Sequence, residues 1–241
     1  MKKNYNYKKA HHFLGVCFPD GNRKQDRMIS LALSPEHTCP ADAPCRKENG
    51  GNCYYQKEME YYTSVSVSAY NNWKVFKTAP ERFWKAVEKA IKTAIAEGVG
   101  FRWFEGGDCP SYKFFCRQME LCKKYPGVCH GMTKQYEIVN RYIREHGGDK
   151  DCILKYYHLR FSKWEDYPMP NEYSMPVFRL VFTEEETTCP EQRLKMAGKE
   201  WSCADCYFRG VGCYRADHGS INCIDHKAEQ KIVRRRKKNE L

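Results

Sequence analysis

Apolar positions along the chain change period several times. The clearest helical pattern runs from Thr78 to Gly98. Thr78 and Glu81 stand at capping-box spacing, Pro80 lies in the first turn, and Phe83, Val87, Ile91 and Ile95 recur every fourth residue. That stripe predicts a helix packed on a sheet. Short apolar runs flank it: Met28–Ser34 before it and Val99–Phe104 after it, the second ended by Gly106-Gly107. Helical spacing returns over Ser111–Tyr125, with Phe115, Met119 and Cys122 on one face, and over Gln135–His146, closed by Gly147-Gly148. Val128–Thr133, Ile153–Phe161 and Val177–Phe182 read as further strands, and Tyr61–Ala69 alternates like one. Strands alternating with helices predict an α/β fold on a parallel sheet, whose ligands gather beyond the C-terminal strand ends.

Charge changes this picture little. The net charge is +11, but residues 1–12 hold four lysines and no acid, and residues 227–241 hold seven bases and two acids. The stretch between is nearly neutral, so any nucleic-acid contact is expected to be weak and to run through the two basic ends. No apolar run approaches the ~18–20 residues that span a bilayer. The N-terminus has no secretory h-region, so no membrane association and a cytoplasmic location are expected.

Cysteine changes it more. The chain has 14 cysteines, and in a reducing compartment clustered thiols read as metal ligands before disulfides. Cys39, Cys45 and Cys53 share one Pro- and Gly-rich loop after the first strand. Three thiolates leave one coordination position open, the mark of a reactive rather than a closed metal site. A zinc staple with His37 as fourth ligand is the plainer alternative. One βα unit later, Gly106-Gly107-Asp108 follows the second strand at the same sheet edge. Glycines let backbone approach a ligand closely, and a carboxylate accepts hydrogen bonds from an ammonium group. Lys134 ends the third strand and can hold a carboxylate or phosphate.

Beyond Thr183 periodicity fades. Cys189, Cys203, Cys206, Cys213 and Cys223 fall within residues 189–226, with a C-x₂-C pair at their centre. This reads as a small metal-organised module, zinc and iron–sulfur serving equally well because both accept four thiolates. Cys17, Cys109, Cys116, Cys122, Cys129 and Cys152 share no short spacing and read mostly as buried small hydrophobes.

The three-cysteine loop after strand one and the Gly-Gly-acid turn after strand two resemble the radical S-adenosylmethionine superfamily. HTCPADAPC with CYY, FRWFEGGD, GMTK, and the late CPEQ with CADC resemble the phage gene product 88 proteins. The resemblance implies a partial (βα) barrel over 28–188, a Cys-rich metal-binding C-terminal module over 189–226, and basic segments at 1–27 and 227–241. It implies a [4Fe–4S] cluster on Cys39, Cys45 and Cys53, with S-adenosylmethionine held by Gly106, Gly107 and Asp108, to which Lys134 is added as a cofactor contact. Cys189, Cys203, Cys206 and Cys213 would hold the second metal, as in the auxiliary-cluster extensions of some of these enzymes. The implied activity generates a 5′-deoxyadenosyl radical to modify an unidentified substrate, in the host cytoplasm for a phage protein. Here the cysteines are spaced more widely than usual, and Asp108 stands where Glu is usual. The competing reading is a zinc-stapled nucleic-acid-binding phage protein without catalysis.

Overall fold

The computed structural model describes residues 10–19, 25, 28–225 and 228–233. The chain begins with a hairpin of β1 (His11–Phe13) and β2 (Val16–Phe18), joined by Leu14 and Gly15, both at positive φ. Two successive left-handed residues match the twist of a tight two-residue hairpin. The Leu-Gly pair in HHFLGVCF is its sequence signal.

Six strands follow: β3 (Ile29–Ser30), β4 (Phe101–Trp103), β5 (Cys129–Thr133), β6 (His158–Lys163), β7 (Val177–Val181) and β8 (Ile221–Ile224). They lie side by side in chain order and every neighbouring pair is parallel. The sheet curls into a half-barrel whose first and last strands are unpaired with each other. Residues 189–226, read from the sequence as an appended module, thus supply the sheet's sixth strand.

The connections from β3 to β6 lie on the helical side. Between β3 and β4 come α1 (Pro35–Thr38), α2 (Tyr54–Tyr61), α3 (Thr63–Thr78) and α4 (Pro80–Ala96). After β4 comes α5 (Tyr112–Lys124), and after β5 come α6 (Tyr136–Glu145) and the single turn α7 (Asp151–Leu154). Between β7 and β8 lie α8 (Pro190–Met196) and α9 (Cys203–Arg209). Leu31, Leu33, Phe101, Trp103, Leu159 and Phe161 face Phe83, Val87, Phe114, Met119 and Ile143 in one continuous core. Strand alternation sends Ser30, Arg102, His130 and Arg160 to the opposite, inner face.

Three sequence expectations change. Tyr61–Ala69 is not strand: Tyr61 ends α2, Tyr62 is a single extended residue, and from Thr63 the chain is α3, where Val65, Ala69, Asn72 and Phe76 continue a helical period that the alternating valines mask. Val67, the other half of the alternation, is 60% exposed. The run from Ile153 breaks into α7 and β6, because Asp149 Oδ1 accepts from Asp151 N and starts a helical turn. In α4 the buried face is Phe83, Val87, Ala90, Ile91 and Ala94, while Ile95 is 44% exposed. Four residues advance an α-helix about 40° beyond one turn, so three such steps carry Ile95 off the core.

Among the described residues no helix is long and apolar enough to cross a membrane. The basic residues Lys2–Lys9 and Arg234–Lys238, and His226, lie outside the described residues.

Candidate functional site

The C-terminal end of the sheet is built by three strand ends bound to one another. After β3 the chain runs through Leu33, whose N–H donates to Gly106 O at 2.9 Å, into the single turn α1. Cys39 caps that turn, donating its N–H to Pro35 O. The loop beyond is closed by its own backbone: Arg46 N donates to Ala43 O and Gly51 N to Arg46 O, while Asn49 Nδ2 donates to the carbonyls of Ala41 and Ala43. A Cβ on Gly51 would fall 2.0 Å from Pro44 O, so only glycine lets the loop return. That return brings Cys53 beside Cys45.

The thiols are electrostatically unequal. The Cys53 thiol donates a hydrogen bond to the Cys45 sulfur, which pulls Cys45 down to about 6 and pushes Cys53 up. Burial, then the nearby Asp108 carboxylate, push Cys39 up, and the Lys134 ammonium pulls the other way. His37 lies to one side: its Nδ1 is 2.9 Å from Ser34 Oγ and its ring stacks on Trp73 at 5.4 Å. Among the described residues no three His, Cys, Asp or Glu side chains stand close enough to share one ion.

The Gly-Gly-Asp turn presses directly on this loop. Phe104, the residue after β4, takes φ 57°. A Cβ on Gly106 would lie 2.1 Å from the Tyr55 ring, and one on Gly107, at φ 79°, would lie 2.6 Å from Leu33 O and Thr38 Oγ1. Both glycines are needed for this approach. Asp108 N donates to Thr38 Oγ1 at 3.0 Å, one residue before Cys39. The Asp108 carboxylate is buried and largely occupied by the chain itself. Its Oδ1 accepts from Cys109 N and from Thr133 Oγ1 at 2.6 Å, and its Oδ2 accepts from Lys134 N at 2.7 Å. Burial raises its pKa and these donors oppose the rise. Of about four acceptor positions on a carboxylate, three are filled. Lys134 Nζ donates to Ser162 Oγ at 3.1 Å and sits 5.5 Å from the Trp164 ring centre. Gln135 Nε2 donates to Thr38 O. Thr38, Thr133 and Gln135 thus join the site without carrying a sequence signal of their own, beyond flanking residues that do.

The other cysteine set lies at the opposite end. Cys189, Cys213 and Cys223 pack with Ile221 and Phe178, and Cys203, Cys206 and Cys213 pack around Tyr214. Cys213 is common to the two groups, and Cys223 on β8 belongs to the first, but among the described residues no three of these thiols stand close enough to share one ion. Ser202 and Asp205 form a complete capping box at the start of α9. The Trp201 indole N–H donates to Cys206 Sγ at 3.2 Å, while burial pushes that thiol up to about 12. Tyr214 enters the inner face of the sheet: its hydroxyl is 2.5 Å from His130 Nδ1, and a Cβ on Gly100 would lie 2.4 Å from it. Arg160 is buried and donates to the carbonyls of Gly219, Cys213 and Gly212. Arg160, in the middle of β6, therefore binds backbone.

The profile of the Gene product 88 family matches residues 6–235. The chain belongs to the gene product 88 family. The match takes in both cysteine sets and the Gly-Gly-Asp turn of this gene product 88 protein. No curated protein and no solved structure matches it.

Proposed function

We propose that this gene product 88 protein is an iron–sulfur enzyme of the radical S-adenosylmethionine type. The observation that carries the reading is the seam between Thr38 and Asp108, which sets the Gly-Gly-Asp turn against the three-cysteine loop at the C-terminal end of a sequentially ordered parallel half-barrel. Cys39, Cys45 and Cys53 would hold a [4Fe–4S] cluster. Three thiolates suit a cubane with one iron left for a small molecule. When bound and reduced, such a cluster would supply the electron that breaks the S–C5′ bond of S-adenosylmethionine, giving methionine and a 5′-deoxyadenosyl radical that would take a hydrogen atom from a substrate and leave as 5′-deoxyadenosine.

The chain's own residues do the positioning. Gly106 and Gly107 let the β4 turn lie on the loop without side chains between them. Asp108 fixes the β4 and β5 ends through three chain donors, which leaves one acceptor position for the cofactor's amino group. Lys134 brings a positive charge near the thiols, which favours thiolate over thiol. Cys189, Cys203, Cys206, Cys213 and Cys223 provide donors for a second zinc or iron–sulfur site.

The test is anaerobic reconstitution with iron and sulfide. Iron should bind, a brown chromophore should appear, and S-adenosylmethionine should change the electron paramagnetic resonance spectrum of the reduced protein. Cys45→Ala should remove that response. Stoichiometric zinc at this loop, with no iron taken up, would overturn the reading.

A further inference from the structure

The inner face of the sheet carries a guanidinium, Arg102, whose Nε has no hydrogen-bond partner among the described residues. Register aligns Ser30, Arg102, His130 and His158 in one row across β3 to β6. Phe101 and Trp103 turn to the helices, so Arg102 points into the half-barrel. Two of its neighbours in the row, Ser30 and His130, are committed elsewhere. Ser30 Oγ donates to Gln25 Oε1, Gln25 in turn hydrogen bonds Glu105, and His130 faces the Tyr214 hydroxyl. Arg160, one step further along the sheet, is held by three carbonyls, and Lys134 reaches Ser162. Among the described residues Arg102 Nε is buried with no hydrogen-bond partner, as is His158 Nδ1 in the same row. The carboxylate that its charge reaches is that of Glu105, whose pKa is raised by burial and lowered by Arg102, and no ion pair joins the two among the described residues. A buried donor left unmade is costly, and a planar guanidinium matches a carboxylate or phosphate through two parallel hydrogen bonds.

The two ends of the half-barrel explain why an anion would meet Arg102 there. Tyr214 closes the floor on the N-terminal side, against Met28, Gly100 and His130. The cysteine loop and Gly106 lie at the C-terminal side. Arg102 stands between, one turn of chain from the Gly-Gly-Asp segment. His130 does not compete as a cation, since burial, followed by the charge of Arg102 itself, holds its pKa well below the usual range.

We infer that Arg102 is the anchor for an anionic group, a carboxylate or a phosphate, on the molecule that enters the half-barrel. This rests on the reading of the inner face as the substrate chamber of the enzyme proposed above. The group would sit on the guanidinium, with the rest of the molecule extending toward the cysteine loop.

The experiment follows the arginine Nε–H signals of the ¹⁵N-labelled full chain during titration with inorganic phosphate and, separately, with acetate, at ionic strength held constant with chloride. The Arg102 signal is the one missing from Arg102→Lys, and Arg102→Gln serves the same assignment if the lysine variant does not fold. The signal should move and saturate with one of the two anions, phosphate marking a phosphorylated substrate and acetate a carboxylate. Binding of that anion, followed on neighbouring backbone amides, should be about tenfold weaker or worse in the variant. A signal that neither anion moves, or that drifts without saturating, overturns the inference. Neither the cluster nor S-adenosylmethionine is needed. Failure here with iron still bound sinks the anion site alone, whereas a saturable site in a protein that takes up no iron sinks the enzyme reading and keeps the anion site.

Discussion

The loop holding Cys39, Cys45 and Cys53 and the segment holding Cys189 to Cys223 lie at opposite ends of one half-barrel, and different forces shape them. The first is stitched by polar contacts between strand ends: Thr38 to Asp108, Asp108 to Thr133 and Lys134, Gln135 back to Thr38. A lysine charge reaches its thiols. The second is packed among rings and apolar side chains, with Tyr214, Trp201, Tyr207 and Met28 around the cysteines, and burial disfavours the thiolate at Cys206. One end sets three thiols beside polar, hydrogen-bonded strand ends and a lysine charge. The other is built to close the floor and to deliver β8. The same residue type therefore carries two meanings, decided by whether the surroundings stabilise charge or exclude water.

The largest break in this comparison should come at Arg160. Arg160→Met keeps the aliphatic stem and removes the donors to Gly219 O, Cys213 O and Gly212 O. Leaving these buried and part-buried carbonyls without that donor should cost about 3 kcal/mol, read as a lower urea midpoint. Residues 189–225 should become protease-sensitive first, while iron uptake at the first loop persists. Equal loss of both ends would show that the two regions are one cooperative unit. Unchanged stability would show that these bonds do not hold the floor.

Gly51→Ala attacks the other end. The added Cβ would overlap the Pro44 carbonyl, a backbone atom that cannot swing aside. The loop must open, which separates Cys53 from Cys45. Strain of this kind typically costs about 1–3 kcal/mol. Iron binding at this loop should fall sharply, and the stability of the late segment should hardly change. Normal iron content in Gly51→Ala would mean that the loop reaches its metal-binding form by another path.

The order of strands and the two cysteine sets were legible in the sequence because each rests on local signals: apolar runs, caps, glycine stops and short spacings. Gly106-Gly107-Asp108 was legible for the same reason. The parts that escaped are long-range. Asp108 looks like a free carboxylate until Thr133 and Lys134, on the next strand, fill its oxygens. Tyr61–Ala69 looks like a strand until Asn72 and Phe76 show which face is buried. That residues 221–224 complete the sheet, and that Arg102 stands in one inward row with Ser30, His130 and His158, depends on register across strands, which no single segment encodes.

The smallest and most selective effect is a dependence on pH at the floor. His158 sits on the inner face against Tyr214 and His218, with ring centres 5.3 and 5.1 Å away. Burial, then the charges of His218 and Arg160, lower its pKa to about 4. The unfolded chain would protonate this residue near pH 6.5, the ordinary histidine value, whereas the folded chain keeps it neutral. The unfolded state therefore binds more protons over this range, and stability falls as pH falls. The stabilisation is fully present above about pH 6.5 and is lost progressively toward about pH 4, with a limiting slope of about 1.4 kcal/mol per pH unit for a fully buried group. Half-burial of His158 reduces that slope. Urea unfolding at pH 7, 6 and 5 should show the decline, and His158→Gln should flatten it while leaving stability at pH 7 within about 1 kcal/mol. His130, pushed the same way by burial, leaves a residual slope in that variant. If His158→Gln declines as steeply as the parent chain, the pH sensitivity belongs to another group and the floor is wetter than its packing indicates.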